Sequence, residues 1–146
     1  MEKMTISVDT NQEPLRIDLG SYAVLKDLNL HNEQESYTLI NSNSLVSITG
    51  TMNFSGKAVS FFSSWGGSIA VSSSAVLTFN GEVTAGTAQT GWGGHIQCHT
   101  PNVSGKVTGR RYYANRLSLI ETYGGASYFP GTVAGLADSK SGGFYI

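Results

Sequence analysis

At 146 residues the chain has room for one domain with a modest core. A formal net charge of −1 with only 13% charged residues excludes a basic field for nucleic acid and an acidic tail, and leaves a surface of neutral polar side chains and backbone suited to contact between identical chains. The single cysteine, Cys98, excludes an intrachain disulfide, and the polar residues after Met1-Glu2-Lys3-Met4 predict neither a signal peptide nor membrane insertion.

Residues 1–36 read as an N-terminal arm or docking segment. Within it the Leu15/Ile17/Leu19 alternation predicts a short strand, and Val24, Leu25, Leu28 and Leu30 fit a strand or a helix turn over 21–32 about equally, read here as a strand. His31 to Glu35 reads as a loop. Residues 37–108 then fall into short alternating runs at 37–40, 45–49, 51–54, 58–62, 68–71, 75–79 and 94–98. Turn residues such as Asn41-Ser42-Asn43-Ser44, Ser72-Ser73-Ser74, Asn80-Gly81 and Thr100-Pro101-Asn102 separate them, an all-β cadence with no amphipathic helix beyond residue 40.

Two echoes organise this region. Trp65-Gly66-Gly67-Ser68-Ile69-Ala70-Val71 returns as Trp92-Gly93-Gly94-His95-Ile96-Gln97-Cys98, and an apolar-polar-glycine-charged string recurs as Phe54-Ser55-Gly56-Lys57, Phe79-Asn80-Gly81-Glu82 and Val103-Ser104-Gly105-Lys106. A period of roughly 24 to 27 residues marks stacked supersecondary units that cannot bury their apolar faces alone. A sandwich of hairpins gives no reason for such a period. A short β-solenoid, or β-prism-like rungs, does: Ile69 would sit on Ile96 and Val71 on Cys98, about 4.8 Å apart. The open ends of so short a column are unpaired β edges that need closing, and a homotrimer of intertwined or side-by-side coils would close them and bury the glycine-rich faces.

Residues 109–146 change character: Gly109-Arg110-Arg111-Tyr112, then Gly124-Gly125, Ala126-Ser127-Tyr128-Phe129-Pro130-Gly131, Ala134-Gly135 and a closing Gly142-Gly143-Phe144-Tyr145-Ile146. This order resembles the C-terminal trimerisation or tip domain of bacteriophage tail spikes and tail fibres. It departs from that pattern in a glycine run of only two and in the terminal Ile146. The resemblance implies a homotrimer at the tip of a virion appendage, made in the cytoplasm of a bacterial host, with roles in assembly and in attachment to host-surface polysaccharide. Glycan cleavage in such spikes, where present, belongs to a larger central β-helix. The implied chain is therefore a non-enzymatic tip module without cofactor; a small polysaccharide lyase or hydrolase and a monomeric lectin-like domain are the alternatives.

The candidate carbohydrate-binding residues are Trp65, Trp92, Arg110, Arg111, Tyr112 and Tyr113. The indoles either stack on sugars or pack on their own copies in the next rung or chain. The arginines either fork onto carboxylates of an acidic polysaccharide or pair across a trimer, for instance with Glu121 or Asp138. Tyr123, Tyr128, Phe129, Phe144 and Tyr145 crowd the last 24 residues as a candidate trimer interface. His95 and His99, four apart on one strand, lie roughly 13 Å apart along the backbone, too far to share one ion within a chain. Glu33 with Glu35, and Asp9 with Asp18, read as solvated loop carboxylates. Gly50 to Lys57 fails as a phosphate loop, because Ala58 follows the lysine where Ser or Thr is needed.

Overall fold

The computed structural model describes residues 4–8, 14–122 and 124–146. In chain order its strands are β1 Met4–Val8, β2 Leu15–Asp18, β3 Tyr22–Leu25, β4 Leu28–Asn32, β5 Tyr37–Ser42, β6 Leu45–Ile48, β7 Thr51–Trp65, β8 Ser68–Val71, β9 Val76–Gly91, β10 His95–Cys98, β11 Val103–Thr108, β12 Tyr112–Ala114, β13 Leu119–Thr122, β14 Leu136–Ala137 and β15 Phe144–Tyr145. The only helical elements among the described residues are two 3-10 turns, Gly125–Ser127 and Ser139–Ser141. No helix there is long and apolar enough to cross a membrane.

Every strand pairs in parallel with its equivalent one turn away, and the chain forms a β-solenoid of about five turns. Each turn has three faces. β1, β4, the first halves of β7 and β9, and β11 stack on the first face; β2, β5, the second halves of β7 and β9, β12 and β14 on the second; β3, β6, β8, β10, β13 and β15 on the third. The coil is thus not confined to 37–108: residues 15–32, read as part of an arm, supply strands of the first two turns, and the C-terminal residues add a final partial turn.

Alternation puts one side of each strand inside, where like residues stack. Val46, Ile69, Ile96 and Ile120 form one fully desolvated ladder, and Ile48, Val71 and Cys98 another, with the Ile69–Ile96 and Val71–Cys98 registers predicted from the repeat. On the first face Phe54 stacks on Phe79, centroids 4.9 Å apart and nearly parallel. Such burial of apolar surface supplies most of the folding free energy, at roughly 25 cal/mol per Å².

The offset between turns is not constant. Thr51 pairs with Val76, Ser60 with Gly86 and Ser68 with His95, so the upper turn gains one residue at a register shift between Ala58 and Ser60 and a second at the corner after β9. The second extra residue falls at the corner between Gly91 and His95, where Trp92 and Gly93 are both left-handed. Trp65 therefore faces Gly91, and no tryptophan ladder forms. For the same reason Gly56 does stack on Gly81, whereas Gly105 lies over Phe79.

That corner is built alike in successive turns. Asn43 (φ 52°), Gly66 (φ 70°), Trp92 (φ 53°) and Arg116 (φ 53°) all hold left-handed backbone there. Amide-to-carbonyl bonds run up the column, Asn43 N to Trp65 O at 2.9 Å, Gly66 N to Gly91 O at 3.3 Å and Gly93 N to Arg116 O at 3.0 Å. Inside it the buried Asn41 amide donates to the carbonyls of Ser44 and Ser68, both at 3.1 Å, tying two turns together. A turn residue with φ > 0 is a place where glycine and asparagine are at home, and a Trp or Arg there projects outward under some strain.

The C-terminal segment closes the coil's last open end. Phe129 is fully buried and meets Phe79 edge-on at 6.3 Å, the Thr87 hydroxyl donates to the Pro130 carbonyl at 2.6 Å, and Gly109 N donates to Thr132 Oγ1 at 3.0 Å. The Tyr-Phe-Pro-Gly element is a lid on this chain's own core.

Candidate functional site

Beside the left-handed corner, on the outer side of the second face, lies a groove of about 410 Å³ lined by Arg16, Tyr37, Ile40, Ser42, Trp65, Trp92 and Arg116. Its parts come from five successive turns. Trp65 ends β7 and is half-buried; Tyr37, at the start of β5, packs edge-on against it with centroids 5.7 Å apart. The Trp65 ring lies over Gly91, where a Cβ would collide with the indole, so the missing side chain there gives the ring its seat. Trp92 is 64% exposed, and the Arg116 guanidinium stacks over its ring at 4.2 Å. Arg16 is held by Asp18 at 2.6 Å.

The structure joins Trp65 and Trp92 in one site, though not as a ladder. Both tryptophans of the chain face this groove. Tyr37, Arg16 and Arg116 were not singled out in the sequence. Arg116 occupies the corner position one turn beyond Trp92, and only the stack reveals that equivalence.

The other expected binding residues lie elsewhere. Arg110 sits over the Tyr113 ring at 5.6 Å. Arg111 and Lys106 border a separate depression of about 450 Å³ beneath the 129–132 segment. Tyr112 is buried and stacked on Tyr145 at 3.7 Å, which takes it out of reach of a ligand and corrects its assignment as a binding residue. Glu121 and Asp138 are both engaged within the chain: Asp138 accepts from Lys140 N at 3.2 Å and the Ser141 hydroxyl at 2.8 Å.

Of the residues expected at a trimer interface, Phe129 fills its own chain's core and offers no face to a partner. Tyr128 is half-buried, meets Phe129 edge-on at 5.0 Å and donates its hydroxyl to the Thr100 carbonyl. Tyr145 donates its hydroxyl to Gly125 O at 2.6 Å. Phe144 is 57% exposed. Tyr123 and Asp9 lie outside the described residues.

His95 and His99 both reach Glu121, at 3.4 and 3.0 Å, because the register sets Glu121 beside Gln97, midway between them. Two imidazoles here share a carboxylate across neighbouring strands. Among the described residues no group of three His, Cys, Asp or Glu side chains could hold a metal ion. Glu33 forms an exposed pair with His31 at 2.6 Å.

Burial pushes the Cys98 thiol up to about 11, and burial likewise raises the Tyr128 hydroxyl that contacts it at 3.3 Å. A folded-state pKa above the unfolded value near 9 favours the neutral thiol, so this stabilisation is whole below pH 9 and is lost as pH rises towards 11. We expect denaturant unfolding to show a loss in that window steeper than that of Cys98→Ala by up to about 1.4 kcal/mol per pH unit, the raised tyrosines contributing equally to both; equal slopes for both proteins would refute the assignment.

No family model matches the chain, and neither any curated protein nor any solved structure matches it.

Proposed function

We propose that this chain is a non-enzymatic attachment module of a virion appendage, of the kind found at the tips of phage tail spikes and fibres, which assembles as a homotrimer and holds host-surface polysaccharide in the lateral groove. The observation that carries this reading is the groove's composition. Three aromatic rings and two guanidiniums along one exposed edge match the pattern of ligand sites, apolar platforms with a few placed polar groups. Cleaving a glycosidic bond by general acid–base chemistry uses a carboxylate pair. The groove's own polar groups are guanidinium, phenol and hydroxyl, which favours holding a sugar chain over hydrolysing it by that route.

Self-association is supported by the outer side of the third face. Tyr22, Leu45, Ser68, His95, Leu119 and Phe144 form one outward row in register, apolar at both ends, with Tyr22 70% and Leu45 58% exposed. Exposed apolar surface of this kind marks association sites. The terminal motif adds the resemblance to phage tips.

Two measurements test the reading. Sedimentation at micromolar concentration should give about three times the 15.5 kDa chain mass; a stable monomer would contradict assembly. Trp92→Ala should melt within a few degrees of the wild type, since its ring is exposed, yet bind host-surface polysaccharide at least tenfold more weakly in affinity electrophoresis. Unchanged retention would remove the groove from the account.

A further inference from the structure

We infer that the groove selects an acidic polysaccharide, with Arg116 as the residue that reads the acid. This rests on the groove being a glycan site and adds the class of glycan it takes. The Arg116 backbone is fixed at the corner: its amide donates to Ser141 Oγ at 3.1 Å and its carbonyl accepts from Gly93 N at 3.0 Å. Its guanidinium lies 4.2 Å from the Trp92 ring centre. A guanidinium lying over a ring keeps N–H donors in its own plane, and that planar fork is what can grip a carboxylate in two parallel bonds.

Charge bookkeeping around the groove singles this residue out. Arg16, at the other end, already has Asp18 at 2.6 Å. No acidic side chain of the described residues pairs with Arg116. The whole chain carries a net charge of −1, so a long-range basic field does not draw anions here. Acid preference must come from this one contact at short range. Trp92, Trp65 and Tyr37 beside it give the neighbouring sugar rings apolar faces to lie against, so an acidic residue in the polysaccharide repeat sets the register while the platforms supply area.

The test uses capsular polysaccharides that carry a uronic acid in each repeat, each compared with its carboxyl-reduced form, against the full chain. We expect at least one native polysaccharide to bind tenfold or more tightly than its reduced form. Arg116→Gln, which keeps a planar polar end without the charge, should erase that difference, bringing binding of the native form down to that of the reduced form; Arg116→Lys should retain part of it. Equal affinity for native and reduced forms, or undiminished binding by Arg116→Gln with its fold intact by circular dichroism, overturns the acid selectivity and leaves the glycan site standing. Failure to bind any native or reduced polysaccharide overturns the glycan site itself.

Discussion

Replacing Gly81 with alanine should destabilise the coil by more than about 3 kcal/mol. The residue holds φ 142°, a conformation open in practice only to glycine, and occupying it with a side chain costs of order 1–3 kcal/mol alone. A Cβ there would also be driven into the carbonyl of Gly56 in the turn beneath. Neither strand can yield, because Ser55, Gly56 and Lys57 are locked in register against Asn80, Gly81 and Glu82. The proper control is Gly93→Ala. Gly93 is also left-handed, at φ 76°, but nothing lies within 4 Å of the added methyl, so only the backbone strain of about 1–2 kcal/mol remains. Denaturant midpoints for the two variants should differ clearly; equal midpoints would mean that the turns do not approach each other as closely as described.

Phe79→Ala should cost about 3–5 kcal/mol, the range for truncating a fully buried aromatic. Its ring is stacked on Phe54 at 4.9 Å and lies 6.3 Å from Phe61, 6.5 Å from Phe62 and 6.3 Å from Phe129. The last contact matters most for the architecture, since Phe129 belongs to the lid. Truncating Phe79 should loosen the lid as well as the core, so Phe129→Ala ought to cost less in the Phe79→Ala background than in the wild type. Strictly additive losses would show the lid to be independent of the stack below it. A loss under 1 kcal/mol for Phe79→Ala would contradict the core.

How far the sequence foretold this structure follows from where the turn length is constant. Between β8 and β10 the offset stays at 27 residues, so Ile69 over Ile96 and Val71 over Cys98 could be read directly. Trp92 obeys the same arithmetic on paper, but its turn gains a residue at the corner after Gly91, so Trp65 faces Gly91 and Trp92 is left as an exposed ring. The second half of β9, Thr84 to Gly91, escaped notice because its Thr, Ala, Gly and Gln residues do not alternate; the stacked strands on either side bury it. The earliest turns lack the Trp-Gly-Gly signature and use Leu19-Gly20 and Asn43 at the same corner, which hid their membership of the coil. Phe129 looked like interface because aromatic crowding near the C-terminus has two readings, and only the open end of the stack decides that it folds back inward.

The groove was legible in half. Its two tryptophans stand out by type and repeat, while Tyr37 and Arg116 gain meaning only after turns 27 residues or fewer apart are stacked and the corner is seen to open on a left-handed residue in each turn. A binding site assembled across rungs leaves no local motif.

Because both tryptophans of the chain line the groove, tryptophan emission, excited selectively over the seven tyrosines, is a probe of that site. Titration with host-surface polysaccharide should produce a saturable change in tryptophan emission, with the same midpoint as binding measured by an independent method, and most of the change should vanish in Trp92→Ala. Polysaccharide binding with no change in emission would place recognition elsewhere on the coil and contradict the account.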